Sequence, residues 1–298
     1  MMDIRFVPFE EIDKNKWNGT VHFARNGNVC GYYWYLRSVI KEWDALIEGD
    51  YQSVMPLPRY EWPSFALDLL TGIGLYSVNP LSENRILAFY NLWEKNSHHL
   101  SYSFNEFMVP ALVSKKYHSF ISTQICFIDL NQSYKSIYEN YHPETKKILS
   151  AIVMPDYEIS GQEKPEIILK NIRMSSENKN IYYRLFYNAI QRNAGIYTKV
   201  YNLYSKKYAS AFFVSHTNNL NRTFAYSNDE QSEIILIDTI LKTYSGKDGK
   251  IILGKDLRLA EKFGAENVMI LQNQSSFTGI YIKLKGMLKR LFEVQDSK

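Results

Sequence analysis

Arg37 follows the aromatic run Tyr32-Tyr33-Trp34 by three residues. A guanidinium beside aromatic faces is suited to gripping a planar anion through paired hydrogen bonds. Core packing accounts for Tyr33 and Trp34 equally well, but Arg37 is harder to bury without a purpose, which makes it the best single ligand contact in the sequence. Lys146 and Lys147 form an adjacent cationic pair that could steer a phosphorylated substrate; a solvated helix face explains the same pair. Asp129 and Asp256 each end an apolar run. Either could act as a general base, and either could simply cap the helix that follows.

Other chemistries find little support. Histidines 22, 98, 99, 118, 142 and 216 have no H-x-x-x-H or H-E-x-x-H spacing, so no metal site is expected. Gly72-Ile73-Gly74 lacks the third glycine of a dinucleotide fingerprint, and there is no G-x-S-x-G elbow, which argues against hydride transfer and serine hydrolysis. Cys30 and Cys126 are the only cysteines. That number fits a reduced, cytoplasmic setting rather than a disulfide scaffold.

The chain has 298 residues, a 45% hydrophobic content and a net charge of +4. Its length suggests two domains, each able to enclose a core, and its charge permits a polyanionic partner without requiring one. The N-terminus has no basic region leading into an apolar one, and no run of about 18 apolar residues occurs. The final segment is basic: Tyr281, Leu284, Leu288 and Leu291 make a stripe flanked by Lys283, Lys285, Lys289 and Arg290. Such a helix could lie on an anionic membrane surface, or dock its leucines on the protein.

One pattern occurs twice. Gly31–Leu57 and Ile181–Ser215 both read as helix, strand, turn, strand, with Gly49-Asp50 and Ser205-Lys206 at the turns. Around them we expect a strand over 3–9, a short helix capped by Asp13 as far as Trp17, and a helix after Ser82. A strand should end at Leu130, one helix should run from 133 to 154 until Pro155 stops it, and another from Pro165 to about Met174. Next come a strand at NRTFAYS, a helix at QSEIILIDTILKTY, a strand at Lys250–Leu253, a helix ended by Gly264 and a strand at NVMILQN. The expected class is α/β with mixed sheets, divided at 1–130 and 131–298, the linking helix belonging to the second half.

This element order resembles the GNAT acyltransferase class, and its duplication resembles the FemAB group, which attaches amino acids from aminoacyl-tRNA to cell-wall precursor peptides. The closest match is at the junction: Thr123 to Asp129-Leu130, the helix from Ser133 to Tyr141, then Thr145-Lys146-Lys147-Ile148-Leu149-Ser150-Ala151 and Tyr157-Glu158-Ile159. The segments NGNVCGYYWYLRSVIKEWDALIEGDYQSVMPLP and GIGLYS are similar to a Bacteroidetes subgroup of such proteins. The resemblance implies two tandem GNAT-like halves and acyl or aminoacyl transfer to an amine acceptor. It places that acceptor near Tyr33, Trp34 and Arg37. Two departures stand out: lysines replace the arginine usual in the basic cluster, and Asn228-Asp229-Glu230-Gln231-Ser232-Glu233 has none of the glycines that cradle the pyrophosphate of CoA. Acyl-CoA and aminoacyl-tRNA are both open as donors, and the alternatives are a catalytically inactive binding protein of this fold or a CoA-dependent N-acyltransferase with an atypical CoA loop.

Overall fold

The computed structural model describes residues 3–59, 64–97, 102–114, 120–170, 172–217 and 219–273. The basic segment expected at 281–291 and His98, His99 and His118 lie outside them. In chain order the elements are β1 (Ile4–Val7), α1 (Lys14–Phe23), α2 (Tyr33–Val39), β2 (Trp43–Glu48), β3 (Ser53–Pro58), α3 (Ser64–Leu69), β4 (Tyr76–Ser77), α4 (Glu83–Ser97), β5 (Tyr102–Phe104), α5 (Val109–Ser114) and β6 (Phe120–Asp129). There follow α6 (Tyr134–Glu139), α7 (Pro143–Ala151), β7 (Tyr157–Ser160), α8 (Pro165–Ile168), α9 (Ser176–Gln191), β8 (Gly195–Asn202), β9 (Tyr208–His216), β10 (Asn219–Ser227), α10 (Glu230–Tyr244), β11 (Lys250–Gly254), α11 (Leu257–Phe263) and β12 (Glu266–Asn273). The class is mixed α/β with two sheets, as the sequence implies.

The chain forms two compact units, one of Met1–Gly27, Glu42–Thr123 and Ile270–Lys298, the other of Asn28–Lys41 and Gln124–Met269. In the first, an antiparallel sheet runs β1-β2-β3-β4. Asp13 caps α1 by accepting from the amides of Asn15 (2.9 Å) and Lys16 (3.1 Å). The helix continues past Trp17 to Phe23, because Trp17, Thr20 and Val21 share a buried face that outweighs the cost of Gly19. Trp93 packs edge-on against Phe104, their centroids 4.9 Å apart, and Trp17 against Trp43 at 6.1 Å. Buried aromatics of this size are each worth about 1.5–3 kcal/mol.

In the second unit the strands of the larger sheet run β6-β11-β10-β9-β8-β7, antiparallel except for the parallel pair β10–β11. Phe186 of α9 stacks on Phe212 of β9 at 4.1 Å. The expected 133–154 helix is two helices. Pro143 has no amide to continue the first, so it takes the first position of α7, after His142 has turned extended. The second helix ends at Ala151, ahead of Pro155. α8 is likewise a single turn rather than the longer helix expected. Gly264 ends α11 in the left-handed conformation (φ +62°), where a Cβ would fall 2.2 Å from the Asn140 carbonyl oxygen. Only glycine meets both requirements.

Candidate functional site

α10 carries Ile234, Ile235, Leu236, Ile237, Ile240 and Leu241 into the core, and Asp238 goes in with them at 3% exposure. A buried carboxylate must be paired. Tyr134 donates its hydroxyl to Asp238 Oδ1 at 2.6 Å, and Tyr141 donates to the same oxygen at 3.1 Å. Lys242, one turn along α10, sets its ammonium 2.8 Å from Oδ2 and 5.2 Å from the centroid of the Tyr134 ring. Burial first, and then the neighbouring carboxylate, pushes both phenols well above the ordinary tyrosine range.

The tyrosines come from one stripe. Positions 134, 138 and 141 are four and three residues apart, so their rings line up along α6 and its exit, with centroids 5.9 and 5.0 Å apart. Between α6–α7 and α10 lies a cleft of about 350 Å³. Tyr134, Tyr138, Ser150, Asp238, Thr239 and Lys242 bring polar groups to its lining, and Leu149, Ile152, Met154 and Ile235 apolar ones. Lys146 lies beside it: its ammonium is 5.7 Å from the Tyr138 ring and donates to the Glu139 carbonyl at 2.8 Å. Lys147 is exposed on α7.

The start of α10 is closed to an anion. Asp229 caps it, accepting from the Ser232 amide (3.0 Å) and hydroxyl (2.5 Å). Glu230 pairs with Lys262, and Glu233 holds Arg258 through two bonds of 2.6 and 2.7 Å. The helix dipole is thus already answered by the chain's own carboxylates. Beside it β10 and β11 pair only at Leu220–Ile251 and Asn221–Ile252, before an irregularity between Arg222 and Phe224. Arg222 reaches across the strands, donating to the Leu253 carbonyl (2.7 Å) and to Asp256 (3.0 Å).

The two expected carboxylates are at opposite ends of β11. Asp129 is opposite Lys250 at its start, accepting from the Asn131 amide at 3.0 Å. Asp256 follows its end and caps α11 through the Leu259 amide at 3.2 Å. Burial works to raise Asp256, but the hydrogen bond and charge of Arg222 outweigh it and hold the carboxyl below its usual range.

Tyr33, Trp34 and Arg37 are gathered on α2, which packs on α9. The Arg192 guanidinium sits 5.2 Å from the Trp34 ring. Arg184 Nε donates to the Ser38 carbonyl at 3.1 Å, and Arg37, exposed, donates to the Lys41 carbonyl. Burial and, second to it, the charge of Arg37 pull Arg184 below the usual guanidinium range. Three arginines and an indole therefore share one face. Among the described residues no three His, Cys, Asp or Glu side chains are placed to hold a metal ion, and no helix is long and apolar enough to cross a membrane.

Asp238, Lys242 and Tyr134 were not singled out by their residue types. A signal was present nonetheless: one acidic residue in the otherwise apolar run IILIDTIL, and tyrosines at helical spacing in the segment ahead of it.

No protein-family model matches the chain, and no curated protein does. Among solved structures it is similar to FemX, with a TM-score of 0.59, 8% identity, and coverage of 87% of this chain and 96% of that one. It is also similar to the C-terminal DUF2156 domain of a proposed lysylphosphatidylglycerol synthetase from Agrobacterium fabrum (TM-score 0.54, 10% identity, 92% and 95% covered). A conserved protein of unknown function from Bacteroides thetaiotaomicron matches at TM-score 0.52, 11% identity, with 91% and 99% covered. Over nearly its whole length, then, the chain has the fold that FemX has.

Proposed function

We propose that this protein is an acyl- or aminoacyltransferase acting on an amine acceptor in the cytoplasm, and that its donor is an aminoacyl-tRNA rather than an acyl-CoA. The fold shared with FemX supports the reaction class. One observation carries the choice of donor: the first turn of α10 is capped by Asp229 and flanked by the paired Glu230 and Glu233. A pyrophosphate needs bare amides and a positive helix end, and here it would meet three carboxylates instead. The cations at that helix start, Lys262 and Arg258, are taken up by Glu230 and Glu233; to the phosphates of the tRNA we assign Arg37, Arg184, Arg192, Lys146 and Lys147.

In the reaction the acceptor nitrogen attacks the carbonyl carbon of the donor ester. A C–N bond forms, the ester C–O bond breaks, and the departing ribose oxygen takes up the proton the amine loses. Positioning supplies most of the acceleration in such a site, so few diagnostic side chains are needed. Asp129 and Asp256 are the candidate carboxylates for relaying the amine proton; they stand at opposite ends of β11, so at most one of them meets the amine.

The test is transfer of a labelled acyl group to an amine-bearing cell-wall precursor from aminoacyl-tRNA, acetyl-CoA or long-chain acyl-CoA. Transfer from aminoacyl-tRNA alone is the expected result. Transfer from a CoA ester alone overturns the donor assignment, and thermal stabilisation by a ligand without turnover on any donor makes the chain a binding protein of this fold.

A further inference from the structure

We infer that the cleft between α6–α7 and α10 binds a primary alkylammonium group, with Asp238 as its counter-ion and Lys242 as the resident cation it displaces. This deepens the amine-acceptor reading and rests on it.

The cleft already holds an ammonium, and the way it does so shows what the site recognises. Asp238 Oδ1 is fully engaged by Tyr134 and Tyr141, while Oδ2 is left to a single partner, the Lys242 ammonium at 2.8 Å. The two members of that pair are in very different surroundings: the aspartate side chain is 4% exposed and the lysine side chain 56% exposed. Lys242 is half exposed, so its ammonium has water to move into. Asp238 cannot follow it, and a buried carboxylate deprived of its cation is strongly disfavoured. The vacancy is therefore best filled by another cation with N–H donors.

The surroundings narrow the class. The face of the Tyr134 ring lies 5.2 Å from where the ammonium sits, and Tyr138 continues the aromatic wall. Leu149, Ile152, Met154 and Ile235 offer the apolar length that an aliphatic chain behind the ammonium would cover. The volume of about 350 Å³ is within the usual range of small-ligand sites, about 300–1,000 Å³. A divalent metal would ask for several oxygen ligands, whereas among the described residues Asp238 is the only carboxylate lining the cleft. An anion would meet that carboxylate directly.

The test uses the full chain and needs no donor, so it separates this site from the transferase reading. Binding of n-pentylamine, pentyltrimethylammonium and pentanoate is measured by calorimetry at fixed ionic strength, in the wild type, Lys242→Met, and Lys242→Met with Asp238→Asn. Removing the resident competitor should tighten n-pentylamine by at least about two- to fivefold, the reciprocal of the fraction of sites that it leaves open. The trimethyl analogue, which has no N–H to give Oδ2, should bind more weakly, and the added Asp238→Asn should abolish the gain. Equal affinity of Lys242→Met and wild type overturns the proposal, as does a double variant that binds as well as Lys242→Met. The first comparison involves only Lys242→Met and the wild type, each checked for folding by its thermal melt, so it does not depend on whether Asp238→Asn folds. Amine binding without any acyl transfer would sink the transferase reading and leave the site standing.

Discussion

The Arg222 guanidinium is 3.0 Å from the Asp256 carboxylate and 2.7 Å from the Leu253 carbonyl, so one side chain ties together β10, β11 and the cap of α11. It does so where the parallel pairing of the two strands gives out after Asn221–Ile252. Arg222→Met should leave Asp256 partly buried without its cation and the Leu253 carbonyl without a donor. The expected loss is about 2–3 kcal/mol in urea unfolding. A change within about 0.5 kcal/mol would show that the strands hold together without it.

Acid should report on the same pair. Asp256 has its folded-state pKa depressed, so it contributes stability that is present above its unfolded value, about 3.9, and is lost as pH falls below that through the folded value. Thermal denaturation followed from pH 6 to pH 2 should therefore fall less steeply below about pH 4 in Asp256→Asn than in the wild type. Parallel curves would mean that the arginine does not stabilise the ionised form.

Local chemistry was legible in the sequence wherever cause and effect lie within a few residues. Asp13 and Asp256 as caps, the turn at Gly49 and the stop at Gly264 all follow from side chains and backbone preferences at those positions. Chain breaks were less so: Pro143 opens α7 instead of being spanned, because a proline suits a first turn better than an interior. The long-range partners could not be read at all. Tyr134 and Tyr141 meet Asp238 across 104 and 97 residues, and Arg184 meets Ser38 across 146. Nothing in the periodicity of α10 says which residues will face its one buried carboxylate.

Gly264 makes a sharper test of packing than any apolar residue in this unit. Its φ of +62° penalises a side chain, and a Cβ would fall 2.2 Å from the Asn140 carbonyl oxygen, on backbone that cannot rotate away. Gly264→Ala should cost about 1–3 kcal/mol for the conformation alone, with the clash added, and should disturb the turn between α6 and α7. A Tm within a degree of the wild type would refute this account.

The phenols around Asp238 should mark the alkaline limit of the fold. Tyr134 and Tyr141 have raised folded-state pKa values, so the stability linked to their neutral forms is fully present below their unfolded value, about 10, and is lost as pH rises above it. Removing a hydroxyl does two things. At neutral pH, Tyr141→Phe takes one of the two hydroxyl donors from Oδ1 of a buried carboxylate and should destabilise by about 1–3 kcal/mol. Above about pH 10 the same variant has one phenol fewer to ionise against Asp238, so its stability should decline less steeply than that of the wild type.

The arginine face of α2 and α9 gives the last prediction. If Arg37, Arg184 and Arg192 contact the phosphates of a tRNA donor, affinity must fall with salt as bound counterions are released. Arg37 is exposed and is bonded to the backbone carbonyl of Lys41, so Arg37→Ala should leave the fold intact. It should weaken tRNA binding similarly for different sequences, and reduce the slope of log K against log salt by about 0.7–1, the share of one phosphate contact. Arg184 is half-buried and anchored on the Ser38 carbonyl, so its replacement should affect stability and affinity together. An Arg37→Ala slope equal to that of the wild type would remove this face from the tRNA path.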